Sequence, residues 1–95
     1  MKVFWTRDAR QDRLDIWEYL VLESPEVAVR MDSLFSAAVA RLRSFPQMGK
    51  PGRIPDTREM IPHESYRIVY QVEADTLWII ALVHTARMWP APRDD

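Results

Sequence analysis

The sequence predicts an α+β fold in which a helical hairpin packs on one face of a small antiparallel sheet, with the elements in the order β-α-α-β-β-β. Two stretches of apolar residues at helical spacing lie in the first half of the chain, and runs rich in β-branched and aromatic residues follow them. A chain of 95 residues, 47% of them hydrophobic, can bury one core. We therefore expect a single domain, residues 1–95, built from two layers.

The first strand and first helix are predicted from the start of the chain. Residues Lys2–Thr6 are rich in aromatic and β-branched side chains, which is typical of a strand. Thr6 is suited to cap a helix, because its hydroxyl can accept from the free backbone N–H groups of the first turn. Apolar residues then recur at helical spacing from Arg7 to about Leu22, which predicts an amphipathic helix.

The second helix has a clear start and a clear end. Ser24 is a good N-cap residue, and Pro25 suits the first helical position. Apolar residues at spacings of three and four continue to Phe45, and Pro46 ends the pattern. Because the connection between the two helices is short, we expect them to fold back as an antiparallel hairpin.

A loop and three strands are predicted in the second half of the chain. Residues 46–56, "PQMGKPGRIPD", contain both glycines and three prolines, so they predict a loop. The strands are expected at Thr57–His63, Tyr66–Val72 and Thr76–His84, the last two joined by a tight turn. The last strand is apolar on both sides, which places it in the centre of the sheet.

The composition excludes several classes of function. The chain has no cysteine, no glycine-rich phosphate loop and no histidine or cysteine pair at metal-ligand spacing, so we expect no metal and no cofactor. It has no apolar run of signal-peptide or membrane length, which predicts a cytoplasmic protein. The net charge is −1, but residues 41–70 carry a net +3, compatible with phosphate contacts or with a mixed solvated surface.

Cationic side chains mark the ends of the predicted strands. Arg58 and Arg67 lie near the starts of two strands, and His84 and Arg87 follow at the end of the last. In an antiparallel sheet the start of one strand lies beside the end of the next, so Arg67 is expected to approach His84 and Arg87. Two guanidinium groups and an imidazole in one place would form a phosphate site in which the imidazole could transfer a proton.

Ordinary structural roles compete with these functional ones. The arginines can instead form ion pairs with Glu59, Glu64 or the two terminal aspartates. Trp17 and Trp78 fit inward-facing positions and are expected in the core. Trp89 follows the last strand, where it could contact a partner or pack against the helices.

The order of elements, with the segments "SYRIVYQV" and "LVHTARMWP", resembles the RelE/ParE superfamily, the toxins of bacterial type II toxin–antitoxin modules. The similarity covers nearly the whole chain and implies the α+β fold and a cognate antitoxin. An exposed sheet edge and an apolar central strand suit such a partner, which could add a strand or an amphipathic helix.

The superfamily contains two mechanisms. RelE-like members are ribosome-dependent ribonucleases that cut messenger RNA, and the resemblance implies that Arg67 and Arg87 would then stabilise charge on the scissile phosphate, with His84 assisting. Met60 stands where such enzymes carry a lysine, and the ending "MWPAPRDD" lacks their tyrosine.

ParE-like members inhibit DNA gyrase instead, and the segments "PDTREM" and "HTARMWP" look more like this branch. The resemblance therefore favours ParE-like inhibition of gyrase, with the ribosome and messenger RNA as the alternative target. In either case the residues expected to contact the target or its phosphates are Arg58, Arg67, Arg87 and Trp89.

Overall fold

The computed structural model describes residues 1–92 and confirms the predicted α+β fold. Two further residues form a short additional strand inside the predicted loop. The elements are β1 (Lys2–Trp5), α1 (Arg7–Glu23), α2 (Pro25–Ser44), β2 (Lys50–Pro51), β3 (Arg58–His63), β4 (Tyr66–Glu73) and β5 (Thr76–His84). The terminal aspartates, considered above as partners of the arginines, lie outside the described residues.

The predicted helix signals are confirmed by the contacts at the helix ends. The hydroxyl of Thr6 accepts a hydrogen bond from the N–H of Ala9 at 3.1 Å, and the hydroxyl of Ser24 accepts one from the N–H of Val27 at 3.3 Å. Pro25 is the first residue of α2, which ends at Ser44, before the next proline. None of the described helices is long and apolar enough to cross a membrane.

The two helices form the expected hairpin, and an ion pair between side chains of α1 and α2 joins them. The Arg13 guanidinium donates from Nε to the Asp32 carboxylate at 2.7 Å and from Nη2 to the Ser36 hydroxyl at 2.7 Å. Because all three side chains project between α1 and α2, they fix how far one helix can slide along the other.

The sheet is mixed, where the sequence predicted an antiparallel one. Its strand order is β1-β5-β4-β3-β2; every neighbouring pair is antiparallel except β1 and β5, which are parallel. A tight turn forces an antiparallel pair, but no tight turn joins β1 to β5, so hairpin signals do not reveal its direction. The added strand β2 was missed because two residues, Lys50 and Pro51, are too few to show a period.

The hairpin covers one face of the sheet, and the core lies between these layers. Alternate residues of the central strands point toward the helices, and the largest fully buried side chains on this side are Phe35, Leu42, Ile68, Tyr70, Leu77 and Ile79. Residues between them point the other way, to a surface that we call the outer face. Among residues 1–92, no helix packs on the outer face.

The outer face is partly covered by the loop that follows β2. A Cβ atom added at Gly52 would collide with the Thr57 hydroxyl and lie 3.2 Å from the Glu59 carboxylate, so the loop backbone lies directly against β3. Thr57 and Glu59 are buried, as is Val69 in the next strand. The part of the outer face formed by β1 and β5 stays open.

Candidate functional site

One end of the sheet carries three ring side chains in a row across its central strands. Tyr66 is in register with His63 on β3 and with His84 on β5. The Tyr66 ring packs edge-on against Phe35 of α2, with ring centroids 5.4 Å apart, and at the same distance against His84. The row therefore lies on the helix side of the sheet, where Phe35 fixes its central ring.

Both histidines in this row accept hydrogen bonds from the backbone two residues after them, which holds the turn that follows each strand. The Nδ1 atom of His63 accepts from the N–H of Ser65 at 3.1 Å, and that of His84 accepts from the N–H of Ala86 at 3.0 Å. The carbonyl of His84 also accepts from the N–H of Arg87 at 2.9 Å. A neutral imidazole whose Nδ1 accepts carries its proton on Nε2, so each ring can donate from that atom.

A groove of about 870 Å³ runs between the helical hairpin and this end of the sheet. We call it the helix-side groove; the segment after β5 forms one wall. Its charged and imidazole side chains are Asp12, Asp15, Arg30, His63, His84 and Arg87, and its larger apolar or aromatic ones include Tyr19, Leu20, Met31, Tyr66, Met88 and Trp89. A groove of this composition suits an elongated partner that has apolar side chains and charged groups.

The structure places Arg87, His84 and Trp89 together in the helix-side groove, as the sequence predicted for the first two. Arg87 is exposed, whereas Trp89 is half-buried and its indole Nε1 atom is buried with no hydrogen-bond partner in the described part of the chain. Trp89 lines the groove together with residues of both helices.

Arg67 lies on the opposite face of the sheet from this group. Tyr66 points to the helices, so the next residue of the same strand points to the outer face. There the Arg67 guanidinium pairs with the Glu59 carboxylate at 3.1 Å, and Glu59 is only 4% exposed. The backbone of Arg67 does lie beside the end of β5, as expected, since Arg67 is in register with Val83. The expected convergence of the Arg67, His84 and Arg87 side chains is wrong, because neighbouring strand ends need not place their side chains on the same face.

The environment of Arg67 is that of a structural ion pair. The second oxygen of the Glu59 carboxylate accepts from the backbone N–H of Arg53 at 3.1 Å, so this carboxylate also fastens the loop over the outer face. The Arg67 Nε atom is buried and has no hydrogen-bond partner among residues 1–92. Of the alternatives derived from the sequence, the pairing of an arginine with Glu59 is therefore confirmed for Arg67.

Arg58 is also held by structural contacts, at the other end of the sheet. Its guanidinium donates to the carbonyl of Gly49 at 2.6 Å, in the loop after α2. The Tyr70 hydroxyl donates to the carbonyl of Pro46 and accepts from the N–H of Gly49, both at 2.8 Å, and burial raises the pKa of Tyr70. Arg58 therefore stabilises the connection between α2 and the sheet, away from the helix-side groove.

The open part of the outer face carries an exposed aromatic stack. The rings of Phe4 and Trp78 lie 5.3 Å apart at an interplanar angle of 28°. Phe4 is 47% exposed and Trp78 is 36% exposed. The expectation that Trp78 lies in the core is wrong, because its neighbours Leu77 and Ile79 occupy the helix-facing positions of β5. Trp17 packs against the core, as predicted.

Asp12 is a groove residue that the sequence did not single out. Its carboxylate accepts from the backbone N–H of Leu82 at 3.1 Å and so caps the edge of β5 beyond the end of β1. Burial raises the pKa of Asp12 above its ordinary value of 3.8; the Leu82 N–H and Arg87 oppose this rise, and Asp15 adds to it. The sequence gives no signal for this contact, because an aspartate in a helix usually faces water. The contact depends on where α1 packs against β5 in the folded protein.

The raised pKa of Asp12 predicts a pH-dependent effect of the Asp12→Asn substitution. The folded state holds the Asp12 proton more tightly than the unfolded chain, so this group stabilises the fold most below pH 3.8, and that contribution is lost as the pH rises through the raised pKa. An asparagine can still accept from the Leu82 N–H without a buried charge. We expect Asp12→Asn to raise the melting temperature slightly at pH 7, with the difference disappearing near pH 3. An equal loss of stability at every pH would contradict this.

Comparisons with solved structures identify the class of fold to which this chain belongs. The chain aligns with a structure titled "Chromosomal ParDE TA system from P. aeruginosa" with a TM-score of 0.77 and 24% identity, over 88% of this chain and 95% of that one. It aligns with the "YoeB/ParE toxin from Agrobacterium tumefaciens" with a TM-score of 0.65 and 18% identity, over 88% and 98% of the two chains. The chain therefore shares the α+β fold of these two proteins.

Sequence comparison narrows this class to one family. Residues 3–89 match the family model described as "ParE toxin of type II toxin-antitoxin system, parDE". The chain is also 31% identical over 90 residues to "Putative toxin Y4kP" of Sinorhizobium fredii, covering 94% of this chain and 93% of that protein. The chain belongs to the ParE toxin family of type II toxin–antitoxin systems.

Proposed function

We propose that the protein inhibits bacterial growth by binding DNA gyrase, and that a cognate antitoxin neutralises it. Membership of the ParE toxin family supports the toxin role. The inhibition of gyrase, in preference to the cleavage of RNA, is supported by one structural observation in particular. The cationic side chains that a ribonuclease of this superfamily would use are separated by the sheet.

The separation matters because of what phosphate cleavage requires. Stabilising the charge that develops on one phosphate needs donors within about 3 Å of the same oxygen atoms. Arg87 and His84 line the helix-side groove, but Arg67 lies on the outer face and pairs with Glu59 there. In this arrangement the two arginines do not approach one phosphate group. A binding toxin has no such requirement, because its cations can contact separate parts of a partner.

The helix-side groove supports the proposed antitoxin partner. It is open along the hairpin, and the exposed side chains of Tyr19 and Met88 extend its apolar lining to the surface. Arg30 and Arg87 add two cations to this lining. An antitoxin segment with apolar residues on one side and carboxylates on the other would therefore complement the groove.

A supercoiling reaction tests the proposed function directly. We expect the purified protein to inhibit the supercoiling of relaxed plasmid by DNA gyrase from the bacterium that carries the gene. A parallel cell-free translation reaction, in which new 5′ ends of the messenger RNA are mapped, should show no cleavage. Codon-periodic cuts that depend on Arg87, with unaffected gyrase, would instead support the ribonuclease alternative, in which Arg87 and His84 act from the groove.

A further inference from the structure

The open part of the outer face has the features of a protein-binding surface. Phe4 and Trp78 are direct register partners on β1 and β5, and their stacked rings stand exposed where no helix of residues 1–92 covers the sheet. Aromatic side chains bury a large area at a low entropic cost, and they are enriched among the residues that dominate protein interfaces. Two adjacent exposed rings held on paired strands of the sheet are therefore a suitable anchor for a partner.

The charges on this face indicate the chemistry of that partner. Lys50 is exposed and in register with Glu59, and the exposed Arg53 follows in the loop that packs over Glu59. The Glu59 carboxylate itself is buried and paired with Arg67, so it does not offset these cations at the surface. Part of the basic character of residues 41–70 is thus displayed on the same face as the aromatic stack but at the other edge of the sheet, because β1 and β2 are the two edge strands. A surface of this kind complements an acidic protein surface with apolar side chains.

The outer face is distinct from the helix-side groove. The alternation of residues along β4 and β5 places Trp78 on one side of the sheet and the groove residues Tyr66 and His84 on the other. A partner that occupies the groove therefore leaves the stack of Phe4 and Trp78 free. Two different partners can be recognised by the two faces of one small sheet.

We propose that the outer face is the surface through which this toxin contacts its protein target, with Phe4 and Trp78 as anchors toward one edge of the sheet and Lys50 and Arg53 as cations toward the other. The inference rests on the proposed function, in which that target is gyrase. The contacted surface of the target is acidic and supplies an apolar side chain to the aromatic stack. The groove on the opposite face is then left for the antitoxin.

Two double variants test this assignment in the supercoiling reaction. Phe4→Ala with Trp78→Ala removes the anchors, and we expect the protein concentration for half-maximal inhibition to rise at least about 30-fold, since interface anchors typically contribute 2 kcal/mol or more. Lys50→Glu with Arg53→Glu reverses the two cations toward the other edge of the same face, and a rise of about 10-fold is expected, larger at low salt.

The matched controls carry the same kinds of change elsewhere. Leu22→Ala removes a side chain that is 88% exposed at the end of α1, and Arg10→Glu reverses an exposed charge on α1; both should inhibit within about twofold of the wild type. Circular dichroism and thermal melting establish that each variant is folded. Should the aromatic double variant unfold, the charge-reversal variant supplies the same test on exposed side chains.

The outcomes separate this inference from the proposed function. If the wild type inhibits gyrase and the two outer-face variants do so equally well, the outer face is not the target surface, although gyrase remains the target. If the wild type does not inhibit gyrase, the proposed function fails and this inference fails with it. Loss of inhibition by both outer-face variants, with both controls active, supports the assignment.

Discussion

Replacing Phe35 by alanine is expected to lower the free energy of unfolding by about 3–5 kcal/mol, the usual cost of removing a buried aromatic ring. Phe35 is 1% exposed in the layer between α2 and the sheet. Its ring also supports Tyr66 through the edge-on contact at 5.4 Å, so the cavity left behind would lie directly beneath the ring row of the helix-side groove. The surrounding backbone is fixed on both sides and can close this cavity only in part.

The same helix supplies a matched control. Phe45 follows the last turn of α2 and is 65% exposed, so Phe45→Ala removes the same side chain without opening a cavity. We expect its effect to stay within about 0.5 kcal/mol. Urea unfolding followed by circular dichroism measures both variants. Similar losses for Phe35→Ala and Phe45→Ala would mean that the hairpin is not packed on the sheet as described.

The helices were the most predictable part of this molecule, because their signals are local. Thr6, Ser24 and Pro25 mark helix starts by chemistry that acts within one turn, and the stripe of apolar residues in α2 repeats often enough to define its buried side. The last strand was predicted with both its ends, since its apolar run stops at charged or polar residues. The parallel pairing of β1 with β5 depends on contacts that are distant in sequence, which local patterns do not record.

The sequence predicted which residues lie near the candidate site, but it did not predict which face of the sheet their side chains occupy. The sequence indicated that Arg67, His84 and Arg87 lie near the same end of the sheet, which is true of their backbone positions. Which face each side chain takes depends on register, and a shift of one residue moves a side chain to the other side of the sheet. The same ambiguity explains Trp78, since an apolar run gives no alternation from which to assign faces.

Removing the buried carboxylate beneath Arg67 is expected to have the second large effect. Glu59→Ala leaves the Arg67 guanidinium without its partner and the Arg53 N–H without its acceptor. Breaking a buried ion pair costs about 3–5 kcal/mol; we expect about 3 kcal/mol, because the Arg67 side chain is still 20% exposed. Glu59→Gln keeps an acceptor of the same shape and should cost less. Glu64→Ala, at an exposed position in the turn before β4, is the control and should be nearly neutral.

Because Arg67 pairs with Glu59, a loss of growth inhibition in Arg67→Ala can come from lost stability instead of lost catalysis. If Arg67 is structural, Arg67→Ala loses growth inhibition because it leaves the Glu59 charge buried, and Arg67→Ala with Glu59→Ala together should cost less than the sum of the two single changes. Unfolding measurements on the wild type and these three variants give the coupling energy, which we expect to be at least about 1 kcal/mol. A catalytic Arg67 predicts the opposite pattern, with stability close to that of the wild type and activity abolished. Additive losses of stability would show that the two side chains do not support each other, and the ion pair would then have no structural role.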